Sequence, residues 1–236
     1  MTQLVVALDE PIYDRARIIV EQTAPHVQWY KVGYEAYYGY GDQILTLLRE
    51  IGKSIFLDLK LHDIPNTVGA AIRAAARSGA RLITLHATGG AAMLAAAVAA
   101  RDEHNAAGGA LRLLAVTMLT SLSADDLHAL GVDESPEEQV RRLAMLAASV
   151  GIDGVVCSVA EASTVRAQCG AGFMLLCPGI RPTGSDAQDQ RRVATPGAAA
   201  RAGADFIVVG RPITKAADPG AAARAILADL SKDLST

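Results

Sequence analysis

The sequence predicts an α/β protein, a (β/α)8 barrel (TIM barrel) that forms a single domain over residues 1–236. Eight short apolar runs recur along the chain, and each is followed by a helix-like pattern. The runs are continuous rather than alternating, as in parallel strands covered on both faces. A chain of 236 residues also suits one barrel better than two smaller domains.

The eight predicted strands are spaced along the whole chain. In order, they are Leu4–Leu8, Trp29–Val32, Ser54–Leu59, Leu82–His86, Leu111–Leu119, Gly154–Cys157, Gly172–Cys177 and Phe206–Val209. Eight parallel strands with intervening helices close into a barrel, and no linker or change in composition indicates a second domain.

Signals for helix starts and stops separate these strands. Ser135 followed by Pro136 and Glu138 predicts a capped helix start, and Asp218-Pro219 predicts the start of the last helix. Gly79, Gly151 and Gly203 each stand just before a predicted strand. Glycine there allows a left-handed stop to the preceding helix, after which the chain turns directly into the barrel.

Composition excludes several classes of function. A formal net charge of -3 and an aromatic content of 4% argue against a nucleic-acid partner. No run approaches the roughly 18 apolar residues that a membrane span requires, so we expect no membrane association. Three cysteines form no CxxC pair and no metal-ligand spacing, which favours a reducing cytoplasm and predicts no metal site.

Charged residues gather where the first three strands end. Asp9 closes the first strand, Lys31 lies in the second, and Asp58 and Lys60 lie at the end of the third, with Asp63 just beyond it. Residues two apart on an extended strand point the same way, so Asp58 and Lys60 should meet. A purely structural salt-bridge network is the alternative, but desolvation costs roughly several kcal/mol per ion. Barrel enzymes build active sites at these strand ends, which favours a functional interpretation.

The stretch FLDLKLHDIPNTV at positions 56–68 carries a family resemblance. It closely resembles the signature of the orotidine 5′-phosphate decarboxylase family, of the compact bacterial type. Further matching motifs run in order along the chain: LD at 8–9, KVG at 31–33, VTMLTS at 116–121, PGIRP at 178–182, DQRR at 189–192 and VGRPI at 209–213. The resemblance implies a cofactor-independent decarboxylation of orotidine 5′-phosphate to UMP and CO₂, the last step of de novo pyrimidine biosynthesis.

The resemblance also implies roles for individual residues. Lys60 would protonate C6 of the pyrimidine, and Asp58 would face the departing carboxylate. Lys31 would complete the catalytic charges and, with Asp9, bind the ribose hydroxyls, whereas Thr120 would lie by the pyrimidine edge.

Two further residues are expected to act across a subunit interface. The resemblance implies a homodimer in which Asp63 and Thr67 reach into the neighbouring site, Asp63 as a catalytic charge and Thr67 as a substrate-binding residue.

A phosphate-binding site is expected where the last strands end. Gly210 and Arg211 follow strand eight, where barrels often hold a phosphate, but this signal is weak by itself. Arg181 and Gln190 lie in the long segment from 178 to 196, and together the four residues favour a phosphate grip. The segment itself is expected to close over the substrate.

Two other functions stay open from the residues alone. A sugar-phosphate decarboxylase or aldolase of the same suprafamily keeps the Asp-x-Lys-x-x-Asp pattern and usually uses Mg²⁺. A barrel that binds a phosphorylated ligand without catalysis is the second alternative. The run from Ile64 to Thr67 and the segment from 178 to 190 argue against the first, and the intact charged positions argue against the second.

Overall fold

The computed structural model of the protein describes residues 1–182 and 193–232. Eight parallel strands in this part of the chain form a closed barrel in sequence order, and β1 pairs with β8 to close it. The predicted (β/α)8 barrel is therefore confirmed. The strands are β1 (Gln3–Ala7), β2 (Trp29–Gly33), β3 (Ser54–Leu61), β4 (Ala80–His86), β5 (Arg112–Val116), β6 (Gly154–Val156), β7 (Met174–Cys177) and β8 (Phe206–Val209).

Strand boundaries differ from the predicted ones at several ends. β1 stops at Ala7, so Asp9 lies in the following loop rather than closing the strand. The long apolar run from Leu111 forms a strand only as far as Val116, because the chain then leaves the barrel wall to form its upper rim. Apolar composition marks the buried backbone in both cases, but it does not distinguish strand from buried loop.

Ten α-helices lie in the described part of the chain, mostly between consecutive strands. They are α1 (Tyr13–Thr23), α2 (Tyr34–Glu50), α3 (Pro65–Arg77), α4 (Gly90–Ala106), α5 (Ala124–Ala129), α6 (Pro136–Val150), α7 (Val159–Cys169), α8 (Pro196–Arg201), α9 (Arg211–Thr214) and α10 (Pro219–Lys232). None of the helices in this part is long and apolar enough to cross a membrane. The short helices α5 and α9 were not predicted from the sequence, because neither spans two full turns of apolar periodicity.

The predicted helix signals are confirmed. Ser135 and Glu138 form a reciprocal capping box at the start of α6, and α10 begins at Pro219. Gly79, Gly151 and Gly203 all adopt positive φ angles, of 86°, 91° and 84°. Each glycine therefore provides the left-handed residue that ends a helix immediately before a strand.

The core has two layers. A large apolar layer lies between the strands and the surrounding helices, and a smaller cluster fills the interior of the barrel. Phe56, Leu176 and Val208 belong to the interior cluster and also form the floor of a cavity at the carboxyl ends of the strands. The packed interior thus supports a site at one end of the barrel, as is usual for this fold.

Candidate active site

Four charged side chains from the first three strands and their loops meet at this end of the barrel. Lys31 Nζ lies 2.9 Å from Asp9 Oδ1 and 3.5 Å from Asp58 Oδ2, and Lys60 Nζ lies 2.9 Å from Asp58 Oδ2. We call this chain of alternating charges, Asp9–Lys31–Asp58–Lys60, the charge array. Its members are those that the sequence singled out, except that Asp63 does not take part.

Neighbouring strands set the position of the charge array. In β2, Lys31 stands opposite Ala7 of β1 and Phe56 of β3, so its side chain can reach both flanking strands. Asp58 stands opposite Gly33, two residues further along the strand pair. The register of three strands therefore brings the alternating charges into contact.

Burial and charge pairing shift the pKa values of Lys31 and Asp58, two members of the charge array, in opposite directions. Burial would raise the pKa of Asp58, but the ammonium groups of Lys31 and Lys60, with hydrogen bonds from Lys60 and Thr84, hold it below its usual value. Burial would lower the pKa of Lys31, but the carboxylates of Asp58 and Asp9 raise it above its usual value. Both groups are therefore ionised at neutral pH, although each side chain is nearly buried.

The backbone at Lys60 corrects the expectation of a regular extended strand. Lys60 has a φ of 42°, the only positive value at a non-glycine residue in the described ranges. The β3–β4 register shifts here: Leu57 pairs with Ile83, whereas Leu61 pairs with Leu85. The strand bulges between these pairs, which re-aims the Lys60 side chain, and bulges are over-represented next to active sites. The contact with Asp58 was predicted, but its backbone geometry was not.

Gly33 leaves space for the outer part of the charge array. A β-carbon at this position would lie 2.8 Å from Lys31 Nζ and 3.1 Å from Asp9 Oδ1. Its φ of -98° is open to any residue, so the need for glycine here is one of space rather than of backbone conformation. The third position of the KVG motif therefore makes room for the Asp9–Lys31 ion pair.

A cavity of about 340 Å³ adjoins the charge array, and we call it the array cavity. Its apolar floor is capped on one side by Lys31, Asp58 and Lys60, and Thr120 lies on its rim. Charged groups against an apolar floor act in a medium of low dielectric constant, where their interactions exceed those in water. The complete lining is Lys31, Phe56, Asp58, Lys60, Val116, Met118, Leu119, Thr120, Ser121, Val156, Leu176, Pro178 and Val208.

A second cavity of about 510 Å³ continues from the first and shares Lys31, Pro178 and Val208 with it. We call it the arginine cavity, because Arg181 and Arg211 both line it.

The two arginines of this cavity lie within electrostatic reach of each other. Burial and the positive charge of Arg211 lower the pKa of Arg181. Two cations facing one cavity, beside the backbone of Gly210, favour an anionic ligand group such as phosphate.

The remaining predicted residues fall outside these cavities. Asp63 and Thr67 are exposed on the β3–α3 connection and the first turn of α3. Asp63 Oδ1 accepts a hydrogen bond from the Ile64 N–H at 2.6 Å. Gln190 lies outside the described residues, as do residues 183–192 of the segment 178–196 that is expected to close over the substrate. The two ends of that segment are held by a parallel bridge between Ile180 and Ala194.

Two contact residues of the charge array were missed from the sequence. Thr84, buried in β4, donates a hydrogen bond to Asp58 Oδ1 at 2.8 Å. Tyr34, at the start of α2, has its ring centroid 5.8 Å from Lys60 Nζ, a cation–π contact. Thr84 lies inside an apolar run, and nothing in the sequence around it indicates a contact with the charge array. Tyr34 directly follows the KVG motif, so its position in the sequence could have indicated that it lies near the site.

Within residues 1–182 and 193–232, no group of three or more His, Cys, Asp or Glu side chains is arranged to hold a metal ion. The described side chains of this site supply ammonium, carboxylate and guanidinium groups. Such groups can transfer protons, stabilise developing negative charge and bind a phosphate.

Fold and site together define the class of the protein. It is a (β/α)8-barrel enzyme with a lysine–aspartate array beside a cavity lined by two arginines. Comparison with known proteins makes the assignment specific. The model of the "Orotidine 5'-phosphate decarboxylase / HUMPS family" matches residues 2–226, and the chain belongs to this family.

Relatives of similar length bear the same name. Orotidine 5'-phosphate decarboxylase from Anaeromyxobacter sp. (strain K) is 50% identical over 228 residues, covering 97% of this chain and 98% of the relative. The protein of that name from Moorella thermoacetica is 46% identical over 231 residues, covering 97% and 92%. The crystal structure of orotidine 5'-phosphate decarboxylase from Lactobacillus acidophilus is 39% identical, with a TM-score of 0.86, covering 98% of this chain and 99% of that one.

Proposed function

We propose that the chain decarboxylates orotidine 5′-phosphate to UMP and CO₂, the final step of de novo UMP biosynthesis, with Lys60 as the proton donor. Family membership and the names of relatives at 46–50% identity support the reaction. The observation that carries the assignment of Lys60 is its ammonium, which borders the array cavity 2.9 Å from the buried carboxylate of Asp58.

The chemistry requires one bond to break and one to form. The bond between C6 and the carboxylate carbon breaks, CO₂ leaves, and the electron pair stays on C6. The ammonium of Lys60 stabilises that developing negative charge and then transfers a proton to C6, which leaves a neutral amine. One side chain therefore acts both as an electrostatic stabiliser and as a general acid.

Asp58 contributes by facing the substrate carboxylate and by orienting Lys60. Repulsion between two like charges 4 Å apart is about 4 kcal/mol at an effective dielectric constant of about 20. Enzymes lower reaction barriers by about 8–23 kcal/mol, so repulsion alone is too small. Stabilisation of the carbanion by Lys60, together with binding energy from the rest of the substrate, must provide most of the effect.

The rest of the substrate follows the two cavities. We assign the pyrimidine to the array cavity with Thr120 at its edge, and the ribose hydroxyls to Asp9 and Lys31. These two residues lie beside the boundary between the cavities, where Lys31 lines both.

The phosphate is assigned to Arg181, Arg211 and the backbone of Gly210, with Gln190 as a fourth ligand. The two guanidinium groups provide forked, charge-assisted donors for the phosphate oxygens. The electrostatic effect of Arg211 on Arg181 supports this assignment, because a dianion between them would relieve their mutual repulsion.

We also assign a homodimer in which Asp63 and Thr67 complete the neighbouring site. Neither residue contacts the charge array of its own chain in the described structure, and both are exposed. Ile64, which follows Asp63 in the chain, is 67% exposed, and Tyr38 on α2, whose ring stacks on that of Tyr34, is 80% exposed. Large apolar side chains next to an active site are typical of a surface that a second subunit covers.

The proposed location is the cytoplasm. Cys157, Cys169 and Cys177 form no disulfide bond, and two of them are buried. Cysteines that form no disulfide suit a reducing compartment.

The direct test is the ultraviolet absorbance change of orotidine 5′-phosphate mixed with purified protein in EDTA, with Lys60→Ala measured in parallel. Rapid conversion to UMP by the wild type, abolished in the variant, is the expected result. Conversion by Lys60→Ala at the wild-type rate would refute the role of Lys60 as proton donor. The assignment of the decarboxylation reaction would still stand.

If the wild-type protein does not decarboxylate orotidine 5′-phosphate, two further observations would identify the alternative functions. No turnover in EDTA by folded protein, with turnover of a sugar phosphate once Mg²⁺ is added, would support the sugar-phosphate branch of the family. Tight binding of the nucleotide without CO₂ release would instead identify a binding protein.

A further inference from the structure

Thr84 connects the two ends of the bulge in β3. Its Oγ1 lies 2.8 Å from Asp58 Oδ1 and 3.0 Å from the backbone nitrogen of Lys60. Thr84 is fully buried in β4, so water does not compete for either contact. No other side chain in the described part of the chain bonds both to the Asp58 carboxylate and to the Lys60 backbone.

The direction of each hydrogen bond is fixed by the chemistry of the partners. The Lys60 N–H can only donate, and the ionised carboxylate of Asp58 can only accept. A hydroxyl has one proton and two lone pairs, so Thr84 accepts from Lys60 and donates to Asp58 at the same time. Valine, which has the same shape, can do neither.

The bulge explains why such a bridge is needed. Between the pairs Leu57–Ile83 and Leu61–Leu85, three residues of β3 stand opposite Thr84 alone. Lys60 lies within that segment with a φ of 42°, a conformation that non-glycine residues rarely adopt. Such conformations persist where surrounding structure over-determines them, and the Thr84 hydroxyl is a contact of this kind.

We infer that Thr84 is a positioning residue for the proposed decarboxylation, holding the Lys60 backbone and the Asp58 carboxylate in the arrangement that proton transfer to C6 requires. This inference rests on the proposed function and deepens it. Thr84 is absent from the lining of both cavities, so it acts through Lys60 and Asp58 rather than on the substrate.

The environment of Asp58 provides a reporter that does not depend on turnover. Lys31 faces its carboxylate from β2, Lys60 from β3, and Thr84 from β4. Tyr34 and His86 also interact with it electrostatically. The hydrogen bond from Thr84 lowers the pKa of Asp58, so its removal should raise that pKa while the other groups stay in place.

The test compares Thr84→Val with Thr84→Ser, which keeps the hydroxyl. We expect Thr84→Val to lower kcat for orotidine 5′-phosphate about 10- to 100-fold with little change in KM, as for the loss of a hydrogen bond to a charged group. Thr84→Ser should keep most of the activity. Thr84→Ala serves as a second variant if the valine protein does not fold.

Thr23→Val is the matched control. Thr23 is also fully buried, and its hydroxyl bonds to the Ile19 carbonyl at 2.7 Å and to the Tyr30 hydroxyl at 2.8 Å. This change should lower stability without affecting kcat. If Thr84→Val and Thr23→Val reduce stability equally and both keep the wild-type kcat, Thr84 is a packing residue and the inference is wrong.

A carbon-13 NMR titration of Asp58 separates this inference from the proposed function. An upward shift of the Asp58 pKa in Thr84→Val, absent in Thr84→Ser and Thr23→Val, would support the positioning role whatever the substrate is. An unchanged pKa and an unchanged kcat in an enzyme that still requires Lys60 would overturn the role of Thr84 and leave the decarboxylase proposal standing.

Discussion

Asp58 Oδ2 lies 2.9 Å from the ammonium of Lys60, and the same oxygen lies 3.5 Å from Lys31. One carboxylate therefore serves two ammonium groups, and Asp9 pairs with the outer of these at 2.9 Å. The two positive and two negative charges of the array cancel. A phosphorylated substrate must consequently have its own charge balanced elsewhere, and the arginine cavity offers the cations for it.

The acid stability of the fold should depend on Asp58. Its pKa in the folded protein lies below its usual value, which is about 3.9 in an unfolded chain. The ionised carboxylate therefore stabilises the fold fully above about pH 4, and this contribution is lost as the pH falls through the folded-state pKa. At neutral pH, we expect Asp58→Asn to lower the free energy of unfolding by about 3 kcal/mol, because Lys60 loses its carboxylate partner and Lys31 keeps only Asp9.

Urea unfolding at fixed protein concentration across the acid range checks this. The difference in the free energy of unfolding between wild type and Asp58→Asn should narrow as the pH falls below about 4. Asp42→Asn, the same change at an exposed position on α2, should follow the wild type throughout. A constant difference between wild type and Asp58→Asn at every pH would show that Asp58 has the same pKa in both states.

Removal of Arg211 should weaken recognition of the phosphate. We expect Arg211→Ala to lower kcat/KM for orotidine 5′-phosphate about 100-fold or more, since hydrogen bonds to charged groups contribute about 1.5–3 kcal/mol each. Part of the loss should appear in kcat, because binding energy remote from the reacting atoms supports the transition state. Steady-state kinetics over a range of substrate concentrations measures both parameters.

Two controls make the Arg211 result specific to phosphate. Arg112→Ala removes an exposed arginine from β5 at the opposite end of the barrel and should leave kcat/KM unchanged. With the nucleoside orotidine, which has no phosphate, wild type and Arg211→Ala should react equally slowly. An equal loss for nucleoside and nucleotide would mean that Arg211 supports the fold of the site instead of binding phosphate.

Mixed variants should reveal whether the site is shared between subunits. In the proposed homodimer, the Lys60→Ala and Asp63→Ala variants are each expected to be inactive alone. After random exchange of subunits, half of the dimers are hybrids with one intact site of two, so about one quarter of wild-type activity should return. Activity measured against time after mixing, alongside mass spectrometry of the exchanged dimers, provides the readout.

The negative control mixes Lys60→Ala with Asp58→Ala. These residues touch within one chain, so every site of a hybrid lacks one of them, and no activity should return. If verified hybrids of Lys60→Ala and Asp63→Ala are equally inactive, Asp63 does not act in the neighbouring site.

The sequence predicted the parts of this molecule that depend on local pattern. Apolar runs located all eight strands, and three glycines before strands were identified as left-handed helix stops. The contact between Asp58 and Lys60 followed from their spacing of two residues. In each case, the physical determinant lies within a few residues of the feature that it produces.

Features set by distant parts of the chain could not be predicted in this way. The left-handed conformation of Lys60 depends on how β3 pairs with β4, and the role of Thr84 depends on the same pairing. Arg181 and Arg211 face one cavity because β7 and β8 are neighbours in the closed barrel. The sequence analysis did group Arg181 with Arg211 as a phosphate site, but only because barrels often hold a phosphate where the last strands end.

The space left by Gly33 limits how this pocket can be redesigned. Because a methyl group there would lie 2.8 Å from Lys31 Nζ, even alanine would require the end of the Lys31 side chain to shift. Directed evolution toward new substrates can explore the apolar floor of the pocket, where neighbouring side chains can repack. Position 33 is more restricted, because each larger side chain there would displace the ends of Lys31 and Asp9 further from their present contact.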